Sequence, residues 1–342
     1  MKRNNNFDLI RFCLASTVFL VHSHVLSQNA ALAPLSRFLS SDIAVKAFFV
    51  VSGFLVFQSY ERSRSLSDYA SKRVRRVYPA YAAVVLLAAG AGALVTTVAL
   101  EQYFSGQLLR YLAANLVFLN FLAPTLPGVF TGNLFEEVNG ALWTLKIEVM
   151  FYFSVPVIAW FIRRLGLLPV TAVLYVGLVA YFLGLSHLAD VMSRPFFDQL
   201  ARQLPGQLAF FMGGALLYYR FDALRRWLLP AACVSVVLLA LHLPYVDPWL
   251  QPICLAFVVI GAAFGFPYLG NFGRFGDFSY GIYILHFPIL QWMVWQGWFA
   301  ANPFSALAVA CGVVLAAAYA SWHLVEKPFL LRSSHYVQAT RE

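Results

Sequence analysis

Long apolar runs, separated by short polar segments, make up most of this chain. The runs do not alternate apolar with polar residues, so they predict helices and not a β-barrel. A membrane span needs about 20 apolar residues, and about ten runs approach that length. They lie near residues 7–28, 42–60, 79–100, 141–162, 167–185, 204–219, 228–244, 249–267, 278–298 and 304–325. The pattern predicts an all-α, polytopic transmembrane helix bundle.

The composition supports a membrane protein. Of the 342 residues, 61% are hydrophobic and 11% are charged, whereas soluble domains carry about 25% charged residues. Mean hydropathy is +0.71. We expect one transmembrane domain over residues 1–330, a first segment kept as a signal anchor, and a short cytoplasmic tail over 331–342, with no room for an appended soluble domain.

The four cysteines lie inside apolar runs, at Cys13, Cys233, Cys254 and Cys311. None has the spacing of a metal ligand, so we expect neither a structural zinc, nor another metal, nor a disulfide framework.

The basic residues are distributed unevenly between the two predicted sides. With a cytoplasmic N-terminus, about seventeen Lys and Arg residues fall inside and about four outside, as the positive-inside rule requires. Residues 107–123 would invert this pattern if they crossed the membrane, so we interpret them as an interfacial or re-entrant helix. Both termini are then cytoplasmic. Because the net charge of +9 resides in these loops, it does not indicate nucleic-acid binding.

Two ionisable residues stand in the first apolar run, Arg11 and His22. Eleven helical residues make about three turns, so both side chains lie within about 20° of one face and about 16 Å apart along the axis. Ionisable groups inside a membrane are functional candidates. The alternative is that Arg11 reaches to the interface and His22 hydrogen-bonds a neighbouring helix.

Glu148 is a second buried candidate. It lies about seven residues from the outer end of its predicted span and His22 about six, so both are about 10 Å below the outer surface. An imidazole and a carboxylate at one depth suit a general base and the acid that orients it. Glu148 is alternatively a neutral side chain bonded within the bundle.

A basic stretch precedes the third span. Arg73 and Arg76 share a helix face, which suits phosphate binding; a positive-inside signal or an anionic-lipid patch is the alternative. Ser52 and Gly53 interrupt a bulky span, where small residues allow close helix packing or leave room for a narrow ligand. We interpret the histidines of two further motifs, His286 and His323, as structural hydrogen-bonding groups.

Six stretches together resemble the acyltransferase-3 family of integral membrane acyltransferases, over nearly the whole chain. Arg11 and His22 match its R-x10-H motif, and Val149 departs from the second acid that many members carry after the glutamate. The other matching residues are Phe48, Phe49, Ser52, Gly53 and Phe54; Arg73, Arg76 and Pro79; Trp143, Glu148, Phe151 and Tyr152; and Asp277, Ser279, Tyr280, Tyr283, Leu285 and His286.

The resemblance implies an O-acyltransferase of a bacterial inner membrane. Acyl-CoA, usually acetyl-CoA, would bind from the cytoplasm as a substrate, with no permanently bound cofactor. His22 would act as general base or carry the acyl group, Glu148 would orient it, and Arg11 would stabilise CoA or developing negative charge. The donor-binding candidates are Arg73, Arg76, Lys72, Arg75, Ser52 and Tyr280.

The implied acceptor is a hydroxyl of a cell-surface or exported glycan, free or lipid-linked, such as a lipopolysaccharide or exopolysaccharide. A separate extracytoplasmic acyltransferase is a further possible partner. Two other classes stay open from the residues alone. Buried Arg, His and Glu also suit a proton-coupled transporter of a glycan or small metabolite, although no internal repeat is visible. A non-catalytic assembly or sensor protein is the third class, but it would not explain why the ionisable side chain of His22 lies inside a membrane span.

Overall fold

A computed structural model describes residues 5–241, 243, 246–274, 276–331 and 334, and these residues form helices and no β-strand. The α-helices are α1 (Phe7–Ser27), α2 (Ala33–Phe38), α3 (Ser41–Glu61), α4 (Leu66–Val95), α5 (Leu100–Tyr103), α6 (Gly106–Leu116), α7 (Trp143–Leu165), α8 (Leu167–Met192), α9 (Pro195–Ala201), α10 (Leu204–Tyr219), α11 (Phe221–Leu224), α12 (Leu228–Ala240), α13 (Asp247–Phe264), α14 (Phe278–Trp295), α15 (Trp298–Ala301), α16 (Pro303–Ser321) and α17 (Lys327–Phe329). The all-α prediction is confirmed. The predicted tail, 331–342, lies almost wholly outside the described residues.

Eight helical segments of the described chain are long and apolar enough to cross a membrane, so this is a multi-pass membrane protein. They coincide with eight of the ten predicted spans. The other two predicted spans are also helices. α10 has only 16 residues, and α14 carries buried polar side chains, including His286 and Gln291, that reduce its apolar character.

Two boundaries differ from the sequence-based prediction. The sequence predicts the third span at 79–100, but α4 begins at Leu66, because the Lys- and Arg-rich stretch before Pro79 is itself helical. The second difference lies in the segment 107–123, where α6 covers only Gly106–Leu116; its 11 residues rise about 16 Å, about half of a hydrocarbon core. The interpretation of this segment as an interfacial or re-entrant helix stays a prediction.

The chain divides into two compact units. Unit 1 comprises Met1–Ile10, Val45–Ala70 and Ile147–Gly270, and unit 2 comprises Arg11–Ala44, Ser71–Lys146 and Asn271–Glu342. In unit 1 the rings of Phe7, Phe54 and Phe264 pack within 5.6 Å of one another. The core of unit 2 is more polar. There Tyr81 stacks on Phe118 and donates a hydrogen bond to a backbone carbonyl.

Close helix packing in both units depends on glycine. A Cβ atom at Gly53 in α3 would overlap the carbonyl oxygen of Phe211 in α10, and one at Gly214 in α10 would overlap that of Val50 in α3. In unit 2, Gly276 has φ +128° and lies against the indole of Trp322. Of the two interpretations of the Ser52–Gly53 pair, the structure supports the packing role for Gly53.

Candidate active site

Two histidines of unit 2 form a hydrogen-bonded pair. Nδ1 of His22 lies 2.8 Å from Nε2 of His286, and the two rings stack with centroids 5.1 Å apart. The side chain of His286 is fully buried, whereas that of His22 is partly exposed. From the sequence, we identify His22 as a functional candidate and interpret His286 as a structural hydrogen-bonding residue. The structure makes His286 the direct partner of His22.

The second nitrogen of His286 fixes the direction of this hydrogen bond. Nδ1 of His286 lies 3.0 Å from the carbonyl oxygen of Ile282. A carbonyl can only accept, so that nitrogen carries the hydrogen, and in the neutral ring Nε2 is then the acceptor. His22 must therefore donate from Nδ1, which leaves the lone pair on its Nε2. No described residue hydrogen-bonds this Nε2, and a nitrogen in that state is suited to act as a base or nucleophile.

Aromatic rings surround the pair. Phe287 meets the His22 ring edge-on at 5.7 Å, and Phe19 and Tyr283 lie 6.3 and 6.1 Å from the ring of His286. These rings leave few polar partners for the imidazoles, so the hydrogen bond between the two rings dominates their orientation.

Two arginines and two buried acids of unit 2 form a cluster around Asp277. Nη1 of Arg11 is 2.7 Å from Oδ2 of Asp277, and Arg76 binds the same oxygen. Nη1 of Arg76 also lies 3.3 Å from Oε2 of Glu326. Both acids are almost fully buried, and buried charges are retained when they are paired in this way. Arg11 is thus held in place by a carboxylate.

Asp277 precedes α14 and caps its N-terminus, since its Oδ1 accepts hydrogen bonds from Ser279 N and Oγ at 3.2 and 2.5 Å. Burial raises the pKa of this carboxyl, but Arg11 and Arg76, together with the Ser279 bonds, more than offset that effect and hold the pKa well below its usual range.

A π-helical turn over Trp322–Glu326 follows α16 and carries Glu326. Such turns are rare and frequently occur at functional sites. His323, three residues before Glu326, instead packs its ring 4.3 Å from that of Tyr319.

The two candidate functional residues of α1 contact residues of the α14 region in the same order along the chain. Arg11 meets Asp277 before α14 begins, and His22 meets His286 in its middle. Eleven residues of α1 rise about 16 Å and nine residues from Asp277 about 14 Å, so the two helices run parallel at this contact. The predicted spans also give both helices the same direction through the membrane.

The predicted donor-binding residues of unit 2 have different surroundings. Tyr280 donates a hydrogen bond to the Val77 carbonyl at 2.9 Å, and its ring lies 5.7 Å from the Arg76 guanidinium carbon. Arg75 is exposed and donates to the Phe329 carbonyl at 3.4 Å. Arg73 and Lys72 are half-buried. Their role in donor binding stays a prediction.

Glu148 and Ser52 come together in unit 1. Oε1 of Glu148 accepts hydrogen bonds from Tyr152 at 2.5 Å and from Ser52 at 3.4 Å. Tyr152 and Glu148 are four residues apart on α7, so they share one face. The sequence indicated each residue, but the pairing of Ser52 with Glu148 appears only in the structure. The prediction that Glu148 orients an imidazole stays a prediction.

Comparison with known proteins now identifies the class. Residues 4–323 match the acyltransferase domain of the acyltransferase-3 family, so this chain belongs to that family of membrane acyltransferases. It is 29% identical over 348 residues to a protein named O-acetyl transferase from Shigella phage Sf6, covering 98% of each chain. It is also 29% identical over 356 residues to nodulation protein 10 of Rhizobium leguminosarum bv. viciae, covering 96% of this chain and 94% of that one. No solved structure matches.

Proposed function

We propose that this protein is an O-acyltransferase of the bacterial inner membrane. It moves an acetyl or other short acyl group from cytoplasmic acyl-CoA to a hydroxyl of a cell-surface or exported glycan. The observation that carries the proposal is the hydrogen bond from His22 to His286, which leaves the Nε2 lone pair of His22 available. The name of the phage relative, O-acetyl transferase, supports acetyl as the group and oxygen as its destination.

The proposed reaction needs one base and no redox step. The acceptor hydroxyl oxygen attacks the thioester carbonyl carbon while its proton passes to Nε2 of His22. The new C–O bond forms, the C–S bond breaks, and the CoA thiolate takes the proton from His22. Alternatively, Nε2 attacks the thioester first and carries the acyl group as an acyl-imidazole before the hydroxyl accepts it. In both routes His286 stabilises the positive charge that develops on His22.

Acyl-CoA carries several phosphate charges, which Lys and Arg bind well. We assign the phosphates mainly to three residues of the basic stretch of α4: Lys72, Arg73 and Arg75. The arm of CoA that carries the thioester then runs from the end of α1 that holds Arg11 toward His22, about 16 Å along the helix. A separate extracytoplasmic protein remains an alternative carrier of the acyl group to the glycan.

Acyl transfer in isolated membranes tests the proposal. Labelled acetyl-CoA is supplied to membranes that contain wild type, His22→Ala or His24→Ala, and free CoA and label in the glycan fraction are followed. His24 is the matched control, because it lies two residues away on α1 and pairs with Ser36 at 2.8 Å. We expect glycan label in wild type and His24→Ala, and at least a hundredfold loss in His22→Ala.

Equal transfer by His22→Ala and wild type would contradict the assignment of His22. If correctly inserted wild type neither released CoA nor labelled glycan with any of several acyl donors, the proposed function would be wrong, and flux dependent on a proton gradient would favour transport.

A further inference from the structure

Residues 117–142 connect α6 to α7 through a long loop that contains two short 3-10 turns, Asn120–Leu122 and Gly140–Leu142. Connections longer than about 12–15 residues are uncommon in compact domains and are often binding loops. In the predicted orientation, the part after residue 123 lies on the outer side of the membrane. This is the side on which an exported glycan is encountered.

A buried glutamine of α14 holds the middle of the loop. Gln291 is 1% exposed, and its Nε2 donates to the carbonyl oxygens of Phe135 at 2.6 Å and Glu137 at 2.9 Å. Its Oε1 accepts a bond of 2.8 Å from Nδ2 of Asn133. Three bonds from one buried amide give the segment 131–137 a fixed position against α14. We call this segment the Gln291-bound loop.

The end of the connection packs next to the histidine pair. Nδ2 of Asn139 donates to the Ile284 carbonyl at 2.8 Å, two residues before His286. A Cβ atom at Gly140 would lie 2.7 Å from Cζ of Phe287, the ring that meets His22 edge-on. Gln291 is five residues beyond His286, or about 7.5 Å along α14. The connection that contains the Gln291-bound loop therefore passes next to the histidine pair before α7 begins.

The outer surface of this loop combines apolar side chains with a carboxylate. Leu134 and Phe135 are 61% and 37% exposed. Glu136 is also exposed and has neither an ion pair nor a side-chain hydrogen bond with any described residue. Carboxylate oxygens accept hydrogen bonds from hydroxyl groups, and aromatic rings cover apolar C–H faces. A sugar ring presents both features.

We propose that the Gln291-bound loop is the acceptor-recognition surface, and that it binds an uncharged sugar ring of the glycan with one hydroxyl directed at His22. The proposal rests on the proposed function. CoA fits this surface poorly, because its phosphates and Glu136 would repel each other, whereas the basic stretch of α4 suits them.

The test compares acceptor dependence in Glu136→Gln and Glu101→Gln. Glu101 is the matched control, an exposed acid on α5 of the same unit and the same predicted side. Purified full-length protein in proteoliposomes receives labelled acetyl-CoA and either envelope glycan of the source strain or p-nitrophenyl hexosides. We expect Glu136→Gln to raise the acceptor KM about tenfold, with the donor KM unchanged. Glu101→Gln should match wild type.

Hydrogen exchange provides a readout that does not depend on turnover. Peptides covering residues 131–137 of wild type should become protected when the envelope glycan is added, and peptides around Glu101 should not. Equal acceptor KM values for the two variants, or glycan protection elsewhere but not over 131–137, would overturn the loop proposal alone. Absence of transfer by wild type to every acceptor would instead overturn the proposed function, and the loop proposal with it.

Discussion

At the residue scale, the chemistry depends on which nitrogen of His22 carries the hydrogen. The Ile282 carbonyl sets the tautomer of His286, and His286 sets that of His22. Partners of this kind orient a functional imidazole without touching the substrate. His286 is therefore a positioning residue of the proposed reaction.

Substitution of His286 tests this positioning role. In His286→Gln the amide oxygen can still accept the Nδ1 hydrogen of His22, whereas in His286→Leu no acceptor remains. We expect the leucine variant to lose about 10–100-fold in kcat with an unchanged donor KM, and the glutamine variant to recover most of that loss. Steady-state kinetics at several pH values measure both parameters.

A merely structural histidine would give a different result. The glutamine and leucine variants would then be impaired equally, in proportion to their loss of folded protein, with wild-type pH profiles. Full kcat in His286→Leu would likewise contradict the positioning role.

At the scale of elements, glycine sets the distance between α3 and α10. Gly53 and Gly214 each lie against a backbone carbonyl of the other helix, so the two backbones approach more closely than larger residues would allow. Ser52, next to Gly53, contacts Glu148 of α7. The packing of α3 therefore also determines where the hydroxyl that contacts Glu148 lies.

Alanine substitution tests this packing. Gly53→Ala places a methyl group onto the Phe211 carbonyl, and we expect it to destabilise the protein by about 1–3 kcal/mol. Gly177→Ala in α8 is the matched control, because its added Cβ would meet no heavy atom of the described residues within 4 Å outside its own stretch of helix. Thermal unfolding in detergent measures both. Equal melting temperatures for the two variants would contradict a packing role for Gly53.

At the scale of the whole molecule, the Arg11–Asp277–Arg76–Glu326 cluster joins distant parts of the sequence. Arg76 and Asp277 are 201 positions apart in the sequence, and Arg76 and Glu326 are 250 positions apart. Breaking a buried pair by removing one partner costs about 3–5 kcal/mol, because it leaves an uncompensated charge.

The lowered pKa of Asp277 gives stability a defined pH dependence. Stability from the ionised carboxylate is fully present above the unfolded pKa, about 3.9, and is lost as pH falls through the lower folded pKa. We expect Asp277→Asn to unfold at lower temperature at pH 7 and to show a weaker decline below pH 4 than wild type. Asp190→Asn, at an exposed acid of α8, is the control. Parallel stability curves for Asp277→Asn and wild type would contradict the ion cluster.

The helical class, eight of the spans and the two ionisable residues of α1 follow from the amino-acid sequence without the structure. Long apolar runs can satisfy their backbone in lipid only as helices, and an Arg or His within such a run is conspicuous. The motif spacing also identified the family, which the match over residues 4–323 confirms.

Which side chains contact each other, by contrast, follows from the packing of the folded chain. Helical periodicity gives the faces of a helix but not the helix that each face contacts, and His22 and His286 are 264 residues apart. The pairing of Arg11 and Arg76 with Asp277, and the bonds that hold the loop to Gln291, depend on such long-range packing in the same way. The sequence-based interpretation of His286 as a structural residue is therefore incomplete, because its role arises from a neighbour that is remote along the chain.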